Sequence, residues 1–69
     1  MKKALPLTFG RRLRELLDAR GLTMYALGKR AGVDASYIGR LTRDEMSPSW
    51  EIVQKLAGAL EVSTERLRV

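Results

Sequence analysis

Apolar residues recur along the chain at the three- and four-residue spacing of a helix, in blocks separated by glycine, proline and small polar residues. The first block, Leu13–Leu17, extends upstream to Phe9 and Leu5 and is followed by Gly21. Glycine commonly ends a helix, because it adopts the left-handed conformation at little cost. This block therefore predicts a first helix that stops at Gly21.

Two shorter helices follow. Thr23 is suited to cap a second helix that closes at Gly32, and Asp34 is suited to cap a third. Gly28 falls where these two helices would cross most closely. The inward-facing positions predicted for this segment are Leu27, Ala31, Val33, Ile38 and Leu41.

After a polar stretch, Pro48 and Ser49 predict the start of a fourth helix, which Trp50 would anchor to the core, and Ser63 would cap a short fifth helix. No run of residues alternates as a strand would. The expected architecture is an all-α domain of five helices in residues 7–69, with residues 1–6 as a candidate mobile N-terminal arm. Core positions in its last part are Trp50, Val53, Leu56, Ala57, Leu60 and Leu67.

The segment Gly21–Leu41 has the organisation of a helix-turn-helix, in which two short helices are joined by a tight turn that contains glycine. The side of the third helix opposite its apolar residues is small and polar, and it carries one long basic side chain. Such a surface fits the major groove, where arginine can bond a guanine edge through two hydrogen bonds. The predicted base contacts are Ala35, Ser36, Gly39 and Arg40.

The amino end of the second helix is a second candidate contact with DNA. Its free N–H groups and positive dipole end, around Thr23, Met24 and Tyr25, suit a phosphate. Tyr37 could reach a phosphate through its hydroxyl or simply cover the third helix. For Ser36, a bond to its own backbone is an alternative to a base contact.

Charge distribution agrees with an anionic partner. The 69 residues carry a formal net charge of +5. Ten basic and three acidic residues up to Arg43 give +7, whereas three basic and five acidic residues after it give −2. The anion is therefore expected at the first two thirds of the chain. Lys2 and Lys3 could extend this basic surface as an arm.

Composition argues against several other classes of function. The sequence has no cysteine and no histidine, so the commonest metal ligands and the commonest general base are missing. It also lacks a phosphate-cradling glycine loop and an apolar run of membrane-spanning length. We therefore expect a cytoplasmic protein without catalytic activity, metal or cofactor.

The helix-turn-helix segment, together with Val53–Ser63, resembles the lambda-repressor-like, Cro/C1-type (Xre-type) family, and the likeness extends from Phe9 to Leu67. That family comprises five-helix DNA-binding domains that usually repress transcription as dimers on palindromic operators. The resemblance implies base contacts by Ala35, Ser36 and Arg40, and phosphate contacts by Thr23, Met24 and Arg43.

Four positions depart from the family pattern. Met24 replaces a usual glutamine, so a contact there would use the backbone N–H. Asp44 falls where glycine is typical, and with Glu45 it places two negative charges near the expected DNA backbone. The family's basic residue and glutamate, which form a partly buried ion pair, are replaced together by Leu17 and Thr42.

The expected partner is a double-stranded DNA operator, bound by a repressor that dimerises through Leu60, Val62, Leu67 and Val69. Activation through contact with the polymerase is an alternative to repression. Two further alternatives remain open: an antitoxin-type protein-interaction module that binds a toxin and DNA only secondarily, and the DNA-binding part of a longer regulator.

Overall fold

The computed structural model describes residues Thr8–Leu67, and all regular secondary structure in this part of the chain is helical. Four α-helices are followed by one 3-10 turn. Their bounds are α1 Phe9–Arg20, α2 Met24–Ala31, α3 Ala35–Thr42, α4 Trp50–Leu60 and the 3-10 turn Thr64–Leu67. Within these residues no helix is both long and apolar enough to cross a membrane.

The predicted short fifth helix is present in the described residues as a single 3-10 turn, Thr64–Leu67, so a fifth α-helix is not confirmed. The backbone N–H of Arg66 donates to the carbonyl of Ser63 at 3.0 Å, a bond that spans three residues rather than four. Four residues close only one such turn. An α-helix needs a longer segment, because the unfavourable free energy of forming its first turn is offset only by further hydrogen bonds. The candidate N-terminal arm, residues 1–6, lies outside the described residues.

Hydroxyl side chains begin three of the four helices. Thr8, Thr23 and Ser49 accept a hydrogen bond from the backbone N–H three residues later, at 3.0 to 3.2 Å. Each bond satisfies a donor that has no partner inside its helix. Gly21 and Gly32 end α1 and α2 with φ of 63° and 73°, which confirms the predicted stops.

The core is built from leucine and isoleucine side chains of every element. α3 packs against both α1 and α2, α2 packs against α4, and the 3-10 turn closes the far side of α4. The fully buried side chains are Leu13, Leu27, Ile38, Leu41, Leu56, Leu60 and Leu67. Since no helix has 15 residues, their stability comes from this shared burial rather than from helix propensity.

Two expectations at the α4 end are corrected. Trp50 does not anchor α4 in the core, because as the first helical residue it lies at the rim, 63% exposed, beside a groove of about 260 Å³ that Phe9 and Val53 also line. Leu60 and Leu67 are 1% and 2% exposed, so they are committed to the core and offer no dimer surface. Val62 is half-buried, and Val69 lies outside the described residues.

Candidate nucleic-acid interface

Four residues of α3 lie on the faces that the sequence predicts. Ile38 and Leu41 are fully buried against the other helices, whereas Ser36 and Arg40 are exposed on the opposite side. Ala35 is half-buried at the first turn of the helix. The helix therefore presents one serine and one arginine on a narrow, otherwise small surface.

The amino end of α3 is positioned by the backbone of α2. The carbonyl of Gly28 accepts the N–H of Gly32 at 2.8 Å and the N–H of Val33 at 2.9 Å, which folds the turn tightly back on the helix. A Cβ at residue 28 would lie 2.5 Å from the carbonyl oxygen of Val33. Gly28 thus allows a close approach that no side chain would permit.

Asp34 occupies the N-cap position of α3, but its side chain makes no capping hydrogen bond. Its carboxylate instead accepts the hydroxyl of Ser36, with 2.9 Å between the two oxygens. Short-range bonding of this kind competes with capping. Because the Ser36 hydroxyl proton is directed to Asp34, the exposed serine oxygen is left to act as an acceptor, for instance from an amino group.

Gly39 does not lie on the exposed face. It is buried, and a Cβ added there would meet the guanidinium of Arg43 at 3.3 Å and the sulfur of Met24 at 3.7 Å. The sequence periodicity alone cannot place these two long side chains, which reach over the middle of α3 from α2 and from the loop beyond. Gly39 makes room for them, and in this arrangement it offers DNA no surface of its own.

The amino end of α2 lies beside α3 and has unused donors. The side chain of Thr23 accepts from the N–H of Ala26. Within the described part of the chain, the N–H groups of Met24 and Tyr25 have no acceptor. Tyr25 is 66% exposed, and the ammonium of Lys29 lies 5.5 Å from the centre of its ring. This edge combines free N–H groups with a positive charge, as a phosphate site requires.

Two further side chains bear on this surface. Tyr37 is half-buried and packs against the core, which favours its covering role, and its phosphate contact stays a prediction. Lys29 was not among the predicted contacts, although its position four residues after Tyr25 on the same helix is the signal that could have found it.

Arg43, just beyond the carboxyl end of α3, is exposed but already paired. Its Nε donates to the Glu45 carboxylate at 2.7 Å. This hydrogen bond, with the attraction between the charges, holds the pKa of Arg43 above its ordinary value. The same bond lowers the pKa of Glu45, and the positive charge of Arg40 adds to the lowering. The expected phosphate contact of Arg43 therefore begins from a guanidinium whose Nε is already bound.

Asp44 plays a role that the sequence did not reveal. Its φ is 57°, and its carboxylate accepts the hydroxyl of Thr8 at 2.7 Å and the N–H of Gly10 at 3.0 Å. The negative charge expected near DNA instead binds the amino end of α1, where the helix dipole favours it. A Cβ on Gly10 would collide with the carbonyl oxygen of Leu41. Thus α1 and the end of α3 are joined by both a carboxylate and a close backbone approach.

The sequence and the fold are similar to those of known proteins. Residues 13–67 match the family described as "Helix-turn-helix". The chain belongs to the helix-turn-helix family, and its resemblance to the Cro/C1-type members is confirmed. The HTH-type transcriptional regulator YazB of Bacillus subtilis (strain 168) is 32% identical over 59 residues, which cover 86% of each chain.

Solved structures agree. The restriction-modification controller protein C.AhdI from Aeromonas hydrophila is 41% identical, with a TM-score of 0.83 over 86% of this chain and 89% of that one. The P22 c2 repressor, solved in complex with a synthetic operator, is 31% identical, with a TM-score of 0.82 over 90% of this chain and 94% of that one. The family is one of DNA-binding transcriptional regulators rather than of enzymes.

Proposed function

We propose that this chain binds double-stranded DNA sequence-specifically, with α3 in the major groove. The observation that carries the proposal is the exposure of Ser36 and Arg40 on a helix whose other side, Ile38 and Leu41, is fully buried. Arg40 would bond a guanine edge, and Ser36, whose proton is directed to Asp34, would accept from a base amino group. Ala35 would lie close to the bases without obstructing the helix.

The phosphate contacts flank this helix on both sides. The N–H groups of Met24 and Tyr25, at the Thr23-capped end of α2, would hold one phosphate. Arg43 would hold another beyond the carboxyl end of α3. These contacts fix the register of the protein on the duplex, whereas the side chains of α3 supply the sequence preference.

The regulatory outcome proposed is repression by a dimer on a palindromic operator. One small domain makes few base contacts, and two copies on half-sites about one helical turn apart would supply the missing affinity. Leu60 and Leu67 lie in the core, so the dimer interface needs another centre. Trp50 is exposed and lines a groove with Phe9 and Val53, which makes it the better candidate. Occupation of the operator would then exclude the transcription machinery sterically.

Selection of binding sites from random duplexes at physiological salt tests this function. The selected sequences are expected to contain two inverted half-sites, about 10 base pairs apart from centre to centre. Sedimentation of the protein with the selected duplex should give two chains per site, and Trp50→Ser should weaken that pairing. Selection of a single half-site, with one chain bound, would contradict the dimer.

The role of Arg40 has its own test on the selected site. Arg40→Ala is expected to cost about 1–3 kcal/mol of binding free energy and to relax the preference at one base pair. Arg66→Ala, which removes an exposed arginine from the 3-10 turn, is the matched control and should leave the preference unchanged. A uniform loss on all duplexes after Arg40→Ala would make Arg40 a phosphate contact instead.

A further inference from the structure

Glu45 interacts with two arginines on the surface proposed to meet DNA. Its carboxylate accepts from Nε of Arg43 at 2.7 Å, and its backbone N–H donates to the carbonyl of Arg40 at 3.0 Å. The backbone bond fixes the position of the Glu45 main chain at the carboxyl end of α3. The charge of Arg40 also contributes to lowering the pKa of Glu45, so the carboxylate feels both cations.

A carboxylate and a phosphate make the same demand on an arginine. Both anions accept hydrogen bonds from guanidinium N–H groups, and the Nε–H of Arg43 can serve only one of them at full strength. The side chains of Arg43 and Glu45 are 56% and 50% exposed, so the pair stands in solvent where a DNA strand could reach it. An exposed ion pair is weak enough to exchange one anion for another.

The neighbouring acid cannot act in this way. The carboxylate of Asp44 is bound by the hydroxyl of Thr8 and the N–H of Gly10, both at the amino end of α1. Of the two negative charges in this loop, one is therefore structural, and only Glu45 is directed at the expected DNA contacts.

We propose that Glu45 competes with the DNA backbone for Arg43, so that the phosphate contact at the carboxyl end of α3 is weakened while the ion pair holds Nε. The proposal rests on the DNA binding proposed above and deepens it. Phosphates are the same on every duplex, and so the competition lowers the affinity for all sequences by a similar factor. Glu45 is thus a positioning residue that sets the strength of the backbone contact.

Fluorescence anisotropy with a labelled duplex tests the proposal, on the selected site and on a scrambled sequence, at 0.15 M monovalent salt. Glu45→Gln should tighten binding to both duplexes by about 3- to 10-fold, since it removes the competing charge. Glu51→Gln removes the same formal charge from an exposed, ion-paired glutamate on α4 and is the matched control. Its affinity should stay within about 2-fold of the wild type, allowing for long-range charge effects screened by salt.

A double-mutant cycle shows whether Glu45 acts through Arg43. In the Arg43→Gln background, the gain from Glu45→Gln should fall below about 2-fold, because a neutral glutamine is no longer held by the glutamate. Equal thermal midpoints of the four proteins would show that folding is unchanged. The proposal is overturned if Glu45→Gln gives no gain, if Glu51→Gln gives the same gain, or if the gain persists without Arg43.

Failure of the underlying function looks different. If neither the wild type nor Glu45→Gln binds any duplex even at low salt, then DNA binding itself is refuted, and the competition with it. If the wild type binds but Glu45→Gln binds no tighter, only the role of Glu45 is refuted.

Discussion

The two ends of α3 are held by different means. At its amino end, the turn from α2 is closed by backbone bonds to the carbonyl of Gly28, all within five residues of sequence. At its carboxyl end, the carboxylate of Asp44 binds Thr8 and Gly10, which lie 36 and 34 residues earlier in the chain. The helix proposed to enter the groove is therefore fixed by a local turn at one end and by a long-range contact at the other.

The local turn and the long-range contact position α3 in different ways. The local turn sets the angle between α2 and α3, and it depends on small backbone distances that tolerate little change. The long-range contact joins the carboxyl end to the start of α1, and it combines a side chain that can be replaced, Asp44, with the close backbone approach at Gly10. Substitutions at the two ends should consequently differ in how much stability they remove and in which second substitution restores it.

The largest effect is expected from Thr42→Glu at the carboxyl end. Thr42 is 5% exposed, and its hydroxyl donates to the carbonyl of Gly39 at 2.7 Å. A glutamate there would bury a charge, and because Leu17 is apolar and buried, that charge would have no basic partner at position 17. The free energy of unfolding should fall by about 3–5 kcal/mol, as measured by urea denaturation.

The control for this prediction introduces a basic residue at position 17 together with the glutamate at position 42. Leu17→Arg combined with Thr42→Glu should recover much of the lost stability, because a paired buried charge costs far less than a single one. An unchanged urea midpoint for Thr42→Glu alone would mean that this end of α3 is more open to water than its burial indicates.

A smaller loss is expected at the amino end from Gly28→Ala. The added Cβ would lie 2.5 Å from the carbonyl oxygen of Val33, a backbone atom that can move only if the turn moves. The expected loss is about 1–3 kcal/mol of unfolding free energy, together with weaker DNA binding. Gly58→Ala on α4 is the matched control: a Cβ there meets nothing within 4 Å, so stability should rise by up to about 1 kcal/mol. Equal changes in the free energy of unfolding for Gly28→Ala and Gly58→Ala would show that the close approach at Gly28 does not limit stability.

The same contrast explains how much the sequence could predict. The turn was foreseeable because Thr23, Gly28 and Gly32 are local signals, each with one physical use at its position. The contact of Asp44 with α1 was not, since nothing within the loop indicates which distant helix its carboxylate will meet. The prediction of which apolar residues of α4 are buried failed for a similar reason. Helical spacing marks Trp50 and Leu60 alike as apolar, and only the packing of α1 and the 3-10 turn decides which of them is covered.

The finest test of the comparison uses one substitution at two residues that share a left-handed backbone. Asp44 has φ of 57° and Glu61, which ends α4, has φ of 60°. Glycine relieves the backbone strain at both, but only at position 44 does it also remove two hydrogen bonds to α1. Glu61→Gly should therefore stabilise the fold by about 0.5 kcal/mol, whereas Asp44→Gly should destabilise it by about 1 kcal/mol. Thermal unfolding of both variants decides the matter: if Asp44→Gly also stabilises, the carboxylate contributes nothing, and the close approach at Gly10 alone holds the carboxyl end of α3.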